Sequence, residues 1–329
     1  MTDIEWTDKT WNPVTGCSKV SAGCKNCYAE TVANRFWGDR KFTDVICHPE
    51  RLDAPLRWRK PQRVFVNSMS DLFHEDVPDE FIDRVFAVMA LAPQHTFQVL
   101  TKRPKRMRDW VRDKTTTECL MAADESRATG VYAKSSEASR LAHAYMESQR
   151  LGGFCQPAPW PLPNVWLGVS CEDQAAADER IPLLLETPVT VRFVSAEPLL
   201  GPIDFGHLQP GDPPTEIDSL RGTHGVLRPH GGVCDRLSWV IVGGESGPRA
   251  RPCDVAWIRS IVEQCRAAKV ACFVKQLGAI PVGAWKKADG KITFQSNHPS
   301  ARGIAILRDR KGGDLSEWPE GLCVREFPR

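Results

Sequence analysis

Three cysteines near the start of the chain carry the chemistry that stands out first. Cys17, Cys24 and Cys27 lie in the stretch Thr10 to Glu30, TWNPVTGCSKVSAGCKNCYAE, with the spacing C-x6-C-x2-C. The C-x2-C pair lets two thiolates turn onto one metal centre. Gly16 and Gly23 each precede a cysteine, where a tight turn favours glycine. Iron–sulfur clusters and structural zinc sites both take four ligands, and this loop supplies three. Two readings stay open. A fourth protein ligand completes a structural zinc site, with Cys47 and His48 as candidates; or one metal position is left for chemistry.

A second set of residues recurs at the ends of short apolar runs. Asn67 and Ser68 close Arg63–Asn67 (RVFVN), and Lys102 and Arg103 follow Thr96–Leu100 (TFQVL). Ser170 and Glu172 follow Val165–Val169, and Glu197 follows Thr190–Val194. Gly243, Gly244 and Glu245 follow Trp239–Val242, and Lys275 follows Ala271–Val274. Glycine admits close backbone approach, the carboxylates offer acceptors, and Lys102, Arg103 and Lys275 could clamp phosphate or carboxylate. Each also has an ordinary reading as a turn, a helix cap or a solvated charge. The runs Arg57–Lys60 and Lys102–Arg112 interleave basic residues with Trp58 and Trp110. They could hold a nucleic-acid backbone, or form solvated helix faces. His224, His230 and Cys234 sit in a Gly/Pro-rich stretch and read as loop.

The elements that position these residues alternate. Thr10–Gly16 reads as a first strand, and Cys27–Phe36 as a helix with Tyr28, Val32 and Phe36 on its apolar stripe. Helices are expected at Pro78–Leu91, Pro104–Val111, Gln174–Leu185 and Val255–Ala268, between the strands above. This alternation predicts an α/β fold with a parallel sheet, a partial or complete (β/α) barrel whose strand-end residues share one rim. The barrel spans 1–277, with a helical insertion at about 114–163 and a loop insertion at about 206–236. Residues 278–329 form a C-terminal extension packed on the barrel.

Composition excludes several classes. The 329 residues have a formal net charge of +2, so bulk charge demands neither nucleic acid nor a membrane. No apolar run of about 18 residues occurs, so no transmembrane helix is expected. The N-terminus lacks the basic and apolar regions of a signal peptide. Twelve cysteines without pairing rhythm suggest a reducing, cytoplasmic setting, with Cys265 and Cys272 as small core residues.

The residues Asn12, Pro13, Gly16, Cys17, Cys24, Cys27, Tyr28 and Ala29 resemble the cluster loop of radical S-adenosyl-L-methionine (SAM) enzymes, especially the spore-photoproduct-lyase-like branch. The first spacing departs, C-x6-C where that superfamily has C-x3-C. Over its whole length, to the final EWPEG stretch, the chain resembles phage Gp37/Gp68-like three-Cys-motif (DUF5131) proteins. The resemblance implies a radical SAM-type barrel in which Cys17, Cys24 and Cys27 hold a 4Fe-4S cluster and SAM chelates the open iron. It further implies reductive cleavage of SAM to methionine and a 5′-deoxyadenosyl radical, an electron donor of flavodoxin or ferredoxin type, and a nucleic-acid base or nucleotide as substrate. The strand-end pattern, not the resemblance, makes Asn67, Ser68, Lys102, Ser170, Glu172, Glu197, Gly243, Gly244, Glu245 and Lys275 the expected cofactor-binding residues. The competing class is a non-catalytic, metal-stabilised nucleic-acid-binding or partner protein.

Overall fold

The computed structural model describes residues 4–129, 137–150, 159–211, 216–224, 235–286, 292–295 and 307–328. The chain is mixed α/β. Its strands are β1 (Lys9–Trp11), β2 (Val14–Thr15), β3 (Ile46–Cys47), β4 (Arg63–Val66), β5 (Thr96–Thr101), β6 (Val165–Ser170), β7 (Val191–Ala196), β8 (Ile217–Asp218), β9 (Thr223–His224), β10 (Trp239–Gly243), β11 (Cys253–Asp254), β12 (Ala271–Gln276), β13 (Pro281–Lys286) and β14 (Ile292–Gln295). Its helices are α1 (Tyr28–Phe36), α2 (Asp79–Leu91), α3 (Pro104–Arg112), α4 (Thr116–Thr129), α5 (Glu137–Arg150), α6 (Gln174–Leu185) and α7 (Val255–Ala268). They fall into two compact units.

The first unit holds residues 1–20, 27–168 and 187–191. Its strands β1, β4 and β5 run parallel, with Thr10 opposite Phe65 and Phe65 opposite Gln98. Val64, Phe65 and Val66 are all buried, as expected of a parallel strand covered on both faces. The expected strand Thr10–Gly16 is split. Pro13 has no N–H to donate, and the side-chain oxygen of Asn12 instead accepts from Ser68 Oγ and Met69 N. Val14 and Thr15 therefore leave the sheet and pair with β3.

Helix α1 forms where expected but turns the other way. Ala29 and Ala33 are its buried face, packed with Phe42. The expected core stripe faces out, with Tyr28 54%, Val32 36% and Phe36 69% exposed. Small residues let the helix sit close, so the large ones are left outside. The expected helical insertion is two helices, α4 and α5, and Cys119, Leu120, Ala123, Ala138 and Ala142 are buried. Trp110 is also core: it is 5% exposed and its ring lies 4.4 Å from Phe86, centroid to centroid. The basic run Lys102–Arg112 therefore offers no ring for base stacking, and its Arg106 and Arg108 pair with Asp79 and Asp109.

The second unit holds residues 21–26, 169–186 and 192–329. Here β7, β10 and β12 are parallel, with Ile241 opposite Ser195 and Phe273. The register shifts between Val242 and Gly243, so Gly243 faces Gln276. Helices α6 and α7 begin at aspartate caps: Asp173 accepts from Ala176 N at 2.9 Å, and Asp254 from Ala256 N at 2.8 Å. The expected loop 206–236 includes a small hairpin, β8 with β9, and His224 lies in it; His230 and Cys234 lie outside the described residues. In the C-terminal extension, β13 pairs with β11 and β14, and Val324 to Glu326 lie along β12. Among the described residues, no helix is long and apolar enough to cross a membrane.

Candidate functional site

In the first unit the C-terminal ends of β4 and β5 bring polar side chains to Cys17. Asp71, five residues past β4, accepts from Thr101 Oγ1 at 2.7 Å and from the Lys102 backbone N–H at 3.0 Å. It also pairs with Arg103, whose side chain is only 10% exposed. Arg103 Nε donates to Glu75 at 2.8 Å, Nη2 to Ser18 Oγ at 2.7 Å, and Nη1 to Cys17 Sγ at 3.7 Å. Burial works against the guanidinium charge, but Asp71 and Cys17 outweigh it and push the arginine further up.

His74 supports the same cluster. Its Nδ1 accepts from Asp76 N at 3.1 Å, so the neutral ring carries its proton on Nε2 and donates to Ser18 Oγ at 2.8 Å. Burial, then the nearby Arg103, holds the imidazole below its ordinary value, which favours that neutral form. Ser18 then accepts from His74 and Arg103 and gives its own proton to Glu75 Oε1 at 3.3 Å. Hydrogen bonds from its own backbone N–H and from Arg103 hold the Glu75 carboxyl at about 2, against a smaller burial effect.

The expected residues Asn67 and Ser68 stand at the end of β4. Asn67 has φ +61, accepts from Val14 N at 3.1 Å, and its buried Nδ2 has no partner among the described residues. The Ser68 carbonyl accepts from the Tyr28 hydroxyl. That bond ties α1, which starts directly after Cys27, to the strand end.

In the second unit, seven expected residues lie near the C-terminal ends of β6, β7, β10 and β12, and they divide by what they hold. Glu172 and Glu245 hold the segment around Cys24. Glu172 Oε1 accepts from Gly23 N at 3.3 Å, while Oε2 pairs with Arg180 at 3.0 Å. Glu245 Oε2 accepts from Asn26 Nδ2 at 3.1 Å and from Arg251 N and Nε at 2.8 and 2.9 Å. Its other oxygen takes Arg251 Nη2 at 2.7 Å. Arg251 Nη1 reaches the Ala22 carbonyl at 2.8 Å, and Asn26 Nδ2 also donates to the Arg249 carbonyl. Burial raises the Glu245 carboxyl, but the bonds from Arg251 outweigh it and hold the group below its ordinary value. Both glutamates are thus committed to this chain's own groups.

Glu197, Lys275, Ser170 and Gly243 form the other group. Lys275 Nζ lies 3.2 Å from Glu197 Oε1, Ser195 Oγ donates to Glu197 Oε2 at 3.4 Å, and Ser170 Oγ donates to the Glu197 carbonyl at 3.0 Å. A Cβ on Gly243 would come within 2.7 Å of Glu197 Oε1, so glycine makes room for the carboxylate. The Gly244 carbonyl is taken by Gln276 Nε2 at 2.8 Å. Lys275 and Glu197 are partly exposed, at 23% and 14% of the side chain, and Glu197 is the only carboxylate partner of Lys275 among the described residues.

The cysteines sort by environment. None of the ten described is in a disulfide. Cys119, Cys171, Cys253, Cys265 and Cys272 are buried, and burial pushes the Cys253 thiol up to about 12. Cys17, Cys24 and Cys27 are half-buried, as is Cys47. Burial raises Cys47, and both ring nitrogens of His48 are engaged, with Thr15 Oγ1 at 2.8 Å and Glu50 at 3.0 Å. The donor set of the cysteine loop fits an iron–sulfur group in kind: three accessible thiols, one of them already accepting a charged N–H. Among the described residues no three His, Cys, Asp or Glu side chains stand together as a metal site, so the fit is one of ligand chemistry and chain order.

Sequence reading missed Ser18, His74, Glu75, Asn26 and Arg251 as a supporting set, and took Asp71 and Arg103 only as strand-end residues. Ser18 and Asn26 adjoin cysteines, and Asp71 and Arg103 follow strands; these were the available signals. Comparison with known proteins adds one finding. A sequence model of the family described as protein of unknown function (DUF5131) matches residues 1–302. No curated protein and no solved structure matches the chain.

Proposed function

Because the chain belongs to the DUF5131 family, whose description assigns no activity, we propose its function from the site itself: a radical SAM-type enzyme whose Cys17, Cys24 and Cys27 bind a 4Fe-4S cluster. The observation that carries this reading is the state of the three thiols. They are half-buried, outside disulfides and spaced on one loop, while five other cysteines are sealed in the interior. Such a cluster, when loaded, supplies reductive cleavage of SAM and a radical that abstracts hydrogen from a substrate.

The chain's own residues bear on the alternative. A structural metal is expected where a loop has nothing else to hold it. Here the segment around Cys24 is already fixed by Glu172, Glu245 and Arg251. The thiols are therefore not needed as a staple, which favours a metal retained for chemistry. The fourth-ligand candidate His48 points the same way, since it is engaged at both ring nitrogens.

Glu197 and Lys275 are the residues left to meet a ligand. Their partly exposed pair presents a donor and an acceptor at the ends of β7 and β12. In this reading they orient SAM or substrate, while Glu172 and Glu245 position the loop. A flavodoxin- or ferredoxin-type donor and a nucleotide-like substrate complete the proposal.

Anaerobic purification and reconstitution test it. The protein is expected to retain iron and sulfide, show visible thiolate-to-iron absorption, and release 5′-deoxyadenosine from SAM with dithionite. Stoichiometric zinc with no iron overturns it.

A further inference from the structure

The best-built polar network among the described residues of the first unit surrounds one cysteine, and its centre is an arginine that sequence reading took only as a strand-end clamp. We propose that Arg103 is a positioning residue that sets the electron affinity of the group held by Cys17, by donating an N–H to its sulfur. This rests on the reading of Cys17 as a cluster ligand and goes beyond it by naming what tunes the cluster.

The argument starts from how firmly the donor is placed. Arg103 uses Nε on Glu75, Nη2 on Ser18 and Nη1 on Asp71 and Cys17, so its plane is fixed by four side chains. Each partner is held in turn. Asp71 is pinned by Thr101 and by the Lys102 backbone. Ser18 is pinned by His74, whose tautomer the Asp76 backbone fixes. The adjacent residue on the strand-end loop, Lys102, cannot substitute: a point charge on a flexible stem lacks the planar fork that reaches these four groups at once.

The chemical consequence follows from charge. A hydrogen bond to a ligating thiolate draws electron density from the sulfur, so the sulfur donates less to the metal. The reduced cluster, which carries one more electron, gains most from that withdrawal, and the reduction potential rises. Asp71 and Glu75 work in the opposite sense, because they add negative charge close to the sulfur. Arg103 offsets them, and its loss leaves both carboxylates uncompensated.

The test is the midpoint potential of the reconstituted wild type, Arg103→Lys, Arg103→Gln and Glu75→Gln proteins, read by redox titration of the reduced cluster's paramagnetic signal. The expected order is Glu75→Gln at or above wild type, Arg103→Lys below it, and Arg103→Gln lowest. A purely structural role for Arg103 predicts less loaded protein with an unchanged potential, and coinciding potentials for wild type and Arg103→Lys overturn the proposal. A second measurement needs no substitution. Wild-type protein labelled with 15N-arginine is expected to show nitrogen coupling in pulsed paramagnetic resonance of the reduced cluster, and its absence also overturns the proposal. A wild type that takes up no iron is a different result, because it removes the cluster reading itself.

Discussion

Glu172 Oε1 accepts the backbone N–H of Gly23 at 3.3 Å, one residue before Cys24. The carboxylate is almost fully buried and paired with Arg180, so it has little freedom to retreat. A Cβ at position 23 would sit 3.1 Å from its Cδ and Oε2. Gly23→Ala is expected to cost about 1–2 kcal/mol through this crowding and the weakened hydrogen bond. Thermal denaturation reads the cost, and iron content after reconstitution falls with it. An unchanged melting temperature shows that the segment does not depend on this approach.

The cysteines themselves are expected to divide cleanly. Cys17→Ala, Cys24→Ala and Cys27→Ala each lose the cluster, measured as iron and sulfide per chain. Cys265→Ala keeps it, because Cys265 is buried between α7 and β12 beside Cys272. Retention of full iron by any one of the first three variants contradicts the assignment.

Glu245 and Glu197 stand close in sequence type but differ in use. Glu245→Ala leaves Arg251 and Asn26 without their acceptor and is expected to destabilise by about 2–4 kcal/mol. Lys275→Ala and Glu197→Ala break a partly exposed pair, so they cost less in folding and more in ligand affinity, roughly tenfold for SAM by calorimetry. If Glu245→Ala alone weakens SAM with no loss of stability, the two roles are exchanged.

The Glu245 carboxyl also gives a pH dependence with a defined sign. Its folded value lies below the ordinary 4.5. The stabilisation is therefore complete above the unfolded value and is lost as pH falls through the folded one. Hydrogen exchange at the Arg251 backbone N–H, which Glu245 Oε2 accepts, is expected to accelerate below about pH 4.5, and Glu245→Gln is expected to flatten that response. Exchange that is independent of pH after correction for the intrinsic rate argues against the carboxylate clamp.

Helix α1 offers a test of packing. Phe36→Ser is expected to change stability by no more than about 0.5 kcal/mol, since the ring is 69% exposed. Ala33→Leu puts bulk into a fully buried contact with Phe42 and is expected to cost about 1–3 kcal/mol. Chemical denaturation curves of the two variants check both values. The opposite ranking would restore the orientation that hydrophobic periodicity suggested.

That orientation shows where sequence reading works and where it stops. The order of strands and helices was legible, because apolar runs such as VFV and WVIV alternate with amphipathic stretches. The strand ends were legible for the same reason, and Ser170, Glu197, Gly243 and Lys275 do lie near one edge of the second unit. What each end residue holds was not legible. Glu172 and Glu245 look like ligand acceptors in sequence, yet their partners Gly23, Asn26 and Arg251 come from turns whose geometry no local pattern encodes. Periodicity placed Tyr28, Val32 and Phe36 inside, but it cannot tell that two alanines and Phe42 make the tighter contact. Asn12-Pro13 did carry a readable signal, since a proline without an N–H was a reason to end the first strand early.

The C-terminal residues along β12 carry a consequence for how the molecule behaves in company. Val274 N donates to the Val324 carbonyl, and Glu326 N donates to Cys272 O, so the outer row of β12 is already occupied. The Glu326 carbonyl also takes the indole N–H of Trp239 at 2.8 Å. A chain cut before Val324 would offer a bare strand of Cys, Phe and Val with a thirsty indole beneath it, a template for another chain to complete. Val324 to Glu326 thus deny other chains the edge they fill, and light scattering of a truncated chain during refolding is where their absence would be seen.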